Sequence, residues 1–162
     1  MKHFFKWAIL TFSAFFLEQI LTIDGLTFNF SFLLVFLFII DYFFPKTEQK
    51  KVYPSEILPL CYFIVVGLIE DLFQGVIGPA IISKSFTGIL LMILVRQLFF
   101  NWTEIFKAAV ILTFTVIDEA FYSFIVVYFF NYNISYLPLI KGFIVKGLIN
   151  IPAGLILSWR KP

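Results

Sequence analysis

Long apolar runs follow one another along almost the whole chain and constrain the fold more than any other feature. Six of them approach the ~20 residues that a helix needs to cross the hydrocarbon layer of a membrane, at about 4–23, 28–44, 57–74, 80–100, 105–130 and 137–157. Because 61% of the 162 residues are hydrophobic and 14% are charged, one small soluble core could not enclose this apolar surface. The sequence therefore predicts an all-α membrane protein, with residues 1–162 forming a single bundle of six transmembrane helices in the lipid bilayer.

The few ionisable groups argue against most classes of enzyme. The chain has one histidine, His3, and one cysteine, Cys61, so we find no Ser-His or Cys-His couple, no H-E-x-x-H zinc helix and no internal disulfide. The neighbouring acids at 70/71 and 118/119 point about 100° apart on a helix, so neither pair is a bidentate metal clamp. The formal net charge of +2 gives no reason to expect a nucleic-acid partner. We expect a protein that is not an enzyme and has no metal or cofactor.

The positive charges predict which helix ends face the cytoplasm. With six spans, both termini and the connections near 45–56 and 101–104 share one side of the membrane. The basic residues in or beside this group are Lys2, Lys6, Lys46, Lys50, Lys51, Arg96, Lys107, Arg160 and Lys161. The opposite connections, around 24–27, 75–79 and 131–136, contain no lysine or arginine. Since retained positive charge marks the cytoplasmic face, both termini are predicted to be cytoplasmic.

The segment PKTEQKKVYPSE, residues 45–56, is the one sizeable cytoplasmic connection in this topology. It is polar and has a proline near each end. Two interpretations stay open. It is either a solvated loop that Lys46, Lys50 and Lys51 hold at the membrane surface, or a docking site for a cytoplasmic partner.

Besides groups close to the cytoplasmic ends, the predicted spans contain these eight ionisable side chains: Glu18, Glu70, Asp71, Lys84, Asp118, Glu119, Lys141 and Lys146. One uncompensated charge at the centre of a membrane helix costs roughly 2.5–3.5 kcal/mol, so eight facing lipid would cost on the order of 20 kcal/mol. We therefore expect these groups to pair with one another, to be protonated, or to border a water-filled recess. The predicted orientation puts most of them in the outer half of the membrane.

Residue spacing places these groups on helix faces that also carry small or polar residues. One face of the third span contains Gly67, Asp71, Gln74, Gly75 and Gly78. One face of the last span contains Gly142, Lys146, Asn150 and Gly154. The first and fifth spans repeat the pattern with Thr11, Ala14, Glu18 and Thr22, and with Thr115, Glu119 and Ser123. Small residues let helices approach closely, and polar groups then bond across the gap. Pro152 is expected to kink or loosen the last helix near residues 146–150.

Three interpretations of this polar face stay open: a network that fixes helix packing, a surface that docks a partner's transmembrane helix, and a cavity for a small ligand or proton. Lys146 lies about 10 Å along its span and needs a counter-charge, for which Asp118 or Glu119 is the candidate. Lys84 and Lys141 are predicted to lie nearer the outer interface, where a lysine can reach water without an acidic partner.

Four stretches of the chain carry a family resemblance: FNFSFLLVFLFIIDYFFP (28–45), GLIEDLFQGVIG (67–78), FTVIDEAFYSFIVVYFF (114–130) and KGLINIPAGLILSWRKP (146–162). With the length, the six spans and the cytoplasmic ends, they resemble the MreD family of bacterial rod-shape-determining proteins over nearly the whole chain. The chain departs from the family pattern where Gly75 and Gly78 are one residue too close, and where Phe28 and Asn29 replace a Pro-Asp pair.

This resemblance implies a non-enzymatic scaffold of the cell-elongation machinery, which synthesises peptidoglycan, in the bacterial cytoplasmic (inner) membrane. The implied direct partner is an MreC-like bitopic protein, and an MreB-like filament, a RodA-like glycosyltransferase and a penicillin-binding transpeptidase complete the assembly. An alternative is the substrate-binding membrane subunit of an energy-coupling-factor-type vitamin transporter, which also has about six helices. Such subunits usually carry an Ala-x-x-x-Ala motif in the first span, whereas here Phe12 follows Ala8 at that spacing.

Overall fold

The structure, a computed structural model, describes residues 2–20, 22–23, 26–43, 57–97, 103–130 and 136–158. The described chain forms six helices and one two-residue strand pair: α1 (Lys2–Ile20), β1 (Thr22–Ile23), β2 (Leu26–Thr27), α2 (Phe30–Phe43), α3 (Ile57–Gln74), α4 (Pro79–Gln97), α5 (Glu104–Phe130) and α6 (Tyr136–Ser158). The predicted helical class is therefore confirmed.

Four of these helices are long and apolar enough to cross a membrane. They are α3, α4, α5 and the part of α6 from Pro138 to Ser158. Their outward faces carry large apolar side chains such as Leu72, Ile93 and Ile144, which are exposed in the isolated chain. This surface suits lipid and indicates a multi-pass membrane protein. The finer prediction of six spans with both ends in the cytoplasm stays a prediction.

Helix α2 lies at the centre of the bundle, and its bounds fall within two residues of the predicted span 28–44. It has 14 residues, and all ten from Ser31 to Ile40 are buried. At 1.5 Å per residue it is about 21 Å long, shorter than the ~30 Å hydrocarbon layer. Helices α1, α3, α4, α5 and α6 all pack against it. A helix that is apolar all round suits this position, because it meets protein on every side.

Helix α1 also ends earlier than expected, at Ile20, and the next residues pair as strands. Thr22 lies opposite Thr27, and Ile23 lies opposite Leu26, in an antiparallel pair. Helix α1 packs on α2 and α3 through Trp7. The centroid of its ring lies 5.1 Å from that of Phe38 on α2 and 5.6 Å from that of Tyr62 on α3.

Glycines allow two pairs of helices to approach closely. A Cβ atom on Gly67 of α3 would lie 2.5 Å from the Cα atom of Ile81 on α4, and one on Gly154 of α6 would lie 2.5 Å from the Ile111 side chain on α5. A methyl group on Gly67 would meet backbone atoms and does not fit, whereas one on Gly154 would require the Ile111 side chain to shift. The small-residue faces predicted for the third and last spans therefore contact neighbouring helices. Helix α6 continues through Pro152 to Ser158.

Several of the predicted features lie outside the described residues. These are the connection 45–56 with Lys46, Lys50 and Lys51, and the basic residues Arg160 and Lys161. Both interpretations of the connection 45–56, a solvated loop and a docking site for a cytoplasmic partner, therefore stay open.

Candidate functional site, a buried polar network

Lys84 is the most deeply buried cation of the predicted set. It stands on the second turn of α4, and its side chain is 1% exposed. Its Nζ atom lies 2.5 Å from Asp118 Oδ2 on α5 and 3.0 Å from Glu70 Oε2 on α3. The expectation that Lys84 reaches water without an acidic partner is wrong, because a buried ammonium group requires compensating charge and two carboxylates supply it.

Asp118 receives hydrogen-bond donors from α4 and from the residue that precedes α2. The Ser83 hydroxyl, next to Lys84 on α4, donates to Asp118 Oδ1 at 2.8 Å, and Thr87 donates to the same oxygen at 3.3 Å. The Asn29 side chain, which precedes α2, donates to Asp118 Oδ2 at 2.9 Å. A carboxylate oxygen accepts hydrogen bonds, so each of these donors has a matching acceptor on Asp118.

Asn29 joins the two acids of α5 and also starts the central helix. Its amide nitrogen lies 2.9 Å from Asp118 Oδ2 and 2.8 Å from Glu119 Oε1. Its side-chain oxygen accepts hydrogen bonds from the Phe32 backbone and the Ser31 hydroxyl, both at 2.9 Å. The contact to Phe32 is that of a helix N-cap. This cap explains why α2 begins at Phe30. The sequence analysis predicts a start at residue 28.

Glu119 and Lys146 form a second ion pair between α5 and α6. Their Oε2 and Nζ atoms are 2.9 Å apart, and their side chains are 12% and 21% exposed. Lys146 is thus paired with one of the two acids that the sequence proposed for it. One turn further along α6, the buried Asn150 donates to the Asn29 carbonyl oxygen at 3.0 Å and to Thr115 at 3.3 Å.

Asp71, although adjacent to Glu70, serves a different purpose. Its carboxylate accepts hydrogen bonds from the backbone N–H groups of Gly78 at 2.7 Å, Ala80 at 2.8 Å and Ile81 at 3.2 Å. These groups lie at the start of α4, where Pro79 occupies the first helical position. Asp71 therefore caps the next helix, and among the described residues the ion pairs of Lys84 are with Glu70 and Asp118 instead.

The turn between α3 and α4 uses both glycines that the sequence singled out. Gly75 has a φ angle of 73° and Gly78 one of 126°, values that side chains disfavour. The Val76 N–H donates to the Asp71 carbonyl oxygen at 3.2 Å, the bond of a Schellman motif at the end of a helix. This short turn brings the carboxylate of Asp71 to the start of α4.

The remaining predicted residues lie around the network or away from it. Gln74 donates to Glu70 at 3.4 Å and accepts a hydrogen bond from Tyr122. Glu18, on α1, is half-buried, and its Oε2 atom has no hydrogen-bond partner among the described residues. Lys141 is exposed at the start of α6, and Gly142 beside it is half-buried.

Sequence reasoning missed Asn29, Ser83 and Thr87 as members of the network. A signal for Asn29 was present, because an asparagine directly before a long apolar run is a common helix N-cap. Ser83 and Thr87 stand four residues apart on the face of α4 that meets Asp118, which a helical projection shows only when the partner helix is known.

The chemistry of the site is that of mutually compensated charge. Among the described residues no group of three or more histidine, cysteine or acidic side chains is arranged to hold a metal ion. Comparisons with protein-family models, with curated proteins and with solved structures find no match to this chain.

Proposed function

We propose that this chain is a non-enzymatic integral membrane scaffold of the bacterial cell-elongation machinery, similar in kind to MreD. In this proposal it has six transmembrane helices and cytoplasmic ends in the inner membrane. An MreC-like bitopic protein is its direct partner. An MreB-like filament, a RodA-like glycosyltransferase and a penicillin-binding transpeptidase belong to the same assembly.

The observation that carries the proposal is the way the buried ionisable side chains are used. Lys84 joins α3, α4 and α5, and Lys146 joins α5 to α6. Asn29 attaches the central helix α2 to both acids of α5. Polar bonds of this kind hold membrane helices in one arrangement. A fixed arrangement is what a scaffold needs in order to present the same surface to its partners.

The outer surface of the bundle supports a role in binding another membrane segment. Helix α1 packs on α2 and α3, and its other side carries exposed Phe12 and Phe16. Helix α6 likewise exposes Ile144 and Leu148. A single-span partner would lie against such a face, where close packing replaces lipid contacts.

Photo-crosslinking in membranes tests the proposal and locates the surface. A photoreactive amino acid replaces Phe16 on α1, Leu72 on α3 or Ile144 on α6, all exposed, and Met92 on α4, which is 5% exposed, serves as the buried control. We expect at least one exposed position to capture a single-span wall-elongation protein and the control to capture none. Capture of an ATPase module, with strong thermal stabilisation by a vitamin, would instead support the transporter subunit and defeat the scaffold proposal.

The design avoids Asp71, because its replacement removes the cap of α4. A loss of partner binding in Asp71→Ala would report a damaged fold as readily as a lost contact. The crosslinking positions leave the network and the caps intact, so a negative result at all exposed positions counts directly against partner binding.

A further inference from the structure

Helix α5 is longer than its neighbour α4, and the excess lies at one end of the bundle. The Ser83 hydroxyl donates to the Asp118 carbonyl oxygen at 2.8 Å, so these two residues lie at the same level. Fourteen residues separate Ser83 from the end of α4 at Gln97, and fourteen separate Asp118 from the start of α5 at Glu104. At that end the two antiparallel helices are level. In the other direction α4 continues for about 6 Å and α5 for about 18 Å.

Helix α6 projects at the same end as α5. Asn150 donates to Thr115 of α5 at 3.3 Å, which sets the two helices in register. Pro138 precedes Asn150 by twelve residues, so it lies about 7 Å beyond the start of α4. We call the projecting residues, 124–130 of α5 and 138–141 of α6, the α5–α6 tip.

The α5–α6 tip lies outside the hydrocarbon layer that α3 and α4 match. These two helices have 18 and 19 residues, about 27–28 Å, close to the ~30 Å of hydrocarbon. Helix α3 also ends below the tip, because its last residue, Gln74, accepts a hydrogen bond from Tyr122 of α5. The headgroup region adds roughly 5–7 Å on each side. The last residues of α5 lie about 12 Å beyond the start of α4 and therefore extend past the headgroups.

The side chains of the α5–α6 tip are nonetheless apolar and aromatic. Phe124, Tyr128 and Phe129 are 59%, 70% and 68% exposed. Their rings contact one another, with centroids 5.8 Å apart between Phe124 and Tyr128 and 5.3 Å apart between Tyr128 and Phe129. On α6, Ile140 is exposed, and the exposed Lys141 forms no ion pair with the described residues. An exposed aromatic patch outside the hydrocarbon, with a cation at about the same level, is typical of a protein interface.

We propose that the α5–α6 tip binds a segment of a single-span membrane partner that lies directly outside the partner's transmembrane helix. The segment has apolar side chains that cover the rings of Tyr128 and Phe129, and at least one aspartate or glutamate that meets Lys141. Aromatic rings offer a large contact area at a low cost in side-chain entropy, and an exposed lysine favours an acidic partner. This inference rests on the proposed function and deepens it, because it names the part of the partner that is recognised.

Two other occupants of the α5–α6 tip fit these observations less well. Acyl chains end below Tyr128 and Phe129, and lipid headgroups give aromatic rings no apolar cover. A second copy of the chain would bring like charges together, since residues 124–141 contain Lys141 and no aspartate or glutamate. A partner segment with both apolar and acidic side chains satisfies the rings and the lysine together.

Chemical labelling tests the position of the tip without any partner. The purified full chain, with Cys61→Ser as background, is placed in lipid nanodiscs and treated with a membrane-impermeant maleimide. Phe129→Cys probes the tip, and Leu148→Cys, at a 53% exposed position of α6 below the start of α4, is the matched control. A thiol reacts as the thiolate, which forms in water and not among acyl chains, so Phe129→Cys should react about tenfold faster. Equal rates at the two positions overturn the proposal.

Photo-crosslinking in the native membrane identifies what covers the tip. A photoreactive amino acid replaces Tyr128 or Phe129, and the crosslinked peptide is sequenced by mass spectrometry. We expect a peptide with apolar and acidic residues that adjoins the transmembrane helix of a single-span protein. Lys141→Glu should lower the yield by about threefold, whereas Lys141→Arg should preserve it, because the sign of the charge is what the acid recognises. Lys141 is exposed, so both variants should fold as the wild type does.

The outcomes separate this inference from the proposed function. Capture of a single-span wall-elongation protein at Phe16, Leu72 or Ile144, but not at the tip, overturns the inference and leaves the scaffold proposal in place. Capture at none of these positions contradicts both. A lipid adduct or a second copy of the chain at the tip overturns the inference, as does a yield that Lys141→Glu leaves unchanged.

Discussion

Replacing Lys84 by methionine would leave two buried carboxylates without their shared cation. Methionine has nearly the length of lysine and fills the same space, so the main loss is the positive charge. Lys84 is 1% exposed, and its ammonium group is 2.5 Å from Asp118 and 3.0 Å from Glu70. Removing one partner of a buried ion pair costs about 3–5 kcal/mol, because the remaining charge stays buried. At about 2–4 °C per kcal/mol for a chain of this size, the melting temperature should fall by roughly 6–20 °C.

Two other lysines on the same chain make this prediction a graded one. Lys146 is 21% exposed, and its partner Glu119 keeps a hydrogen bond from Asn29, so Lys146→Met should cost about 1–2 kcal/mol. Lys141 is exposed and forms no ion pair with the described residues, so Lys141→Met should stay within about 0.5 kcal/mol of the wild type. The loss of stability should therefore follow the burial of the lysine.

The assay is thermal unfolding of the purified chain in one detergent, followed by tryptophan fluorescence, for wild type and each single variant. The double variant Lys84→Met/Glu70→Gln adds a decisive comparison. Removing one of the stranded charges should recover about 1 kcal/mol or more relative to Lys84→Met, since residues in one network are energetically coupled. An unchanged melting temperature in Lys84→Met, or equal losses at all three lysines, would refute the idea that paired charge holds the helices together.

Three further changes test other parts of the fold by the same unfolding measurement. Asp71→Ala should cost about 3 kcal/mol, because backbone donors at the start of α4 lose their acceptor, whereas Asp71→Asn keeps one acceptor and should cost less. Asn29→Ala should cost about 2 kcal/mol and lower the helical circular dichroism signal, since it removes the N-cap of α2 and the bridge between two acids. Gly67→Ala should cost about 3 kcal/mol because its methyl group would meet the Ile81 backbone of α4, and a loss under 0.5 kcal/mol would contradict the close packing.

The four long helices could be predicted from the sequence because length and composition decide them. Helices α3 to α6 begin and end within three residues of the predicted spans. The bounds of α2 also lie within two residues of its predicted span, but its burial at the centre of the bundle could not be predicted. An apolar run has the same composition whether its neighbours are lipid tails or other helices. When every face of the helix is buried, the sequence shows no hydrophobic periodicity. Only its shortness, set by the Asn29 cap, distinguishes it.

The charged residues of the site could be predicted from the sequence, but the contacts between them could not. Burial of charge in an apolar chain requires compensation, and this argument selected Asp118, Glu119 and Lys146, whereas it left Lys84 without an expected partner. Which acid meets which lysine depends on how each helix is rotated about its axis, and sequence spacing gives that rotation only relative to the same helix. The partners on other helices, such as Asn29, therefore had to come from the structure.

The adjacent acids Glu70 and Asp71 illustrate how rotation separates two functions that sequence puts together. They point about 100° apart on α3, so they meet different parts of the same neighbouring helix. Asp71 meets the N–H groups at the start of α4, a fixed partial positive charge that no change of pH removes. Glu70 meets the ammonium group of Lys84, on the second turn of α4. One turn of α3 thus contacts α4 in two ways. Asp71 accepts hydrogen bonds from the start of α4, and Glu70 forms an ion pair with Lys84. Because the cap does not use Lys84, a substitution that breaks the ion pairs of Lys84 should leave the hydrogen bonds of the α3–α4 turn in place.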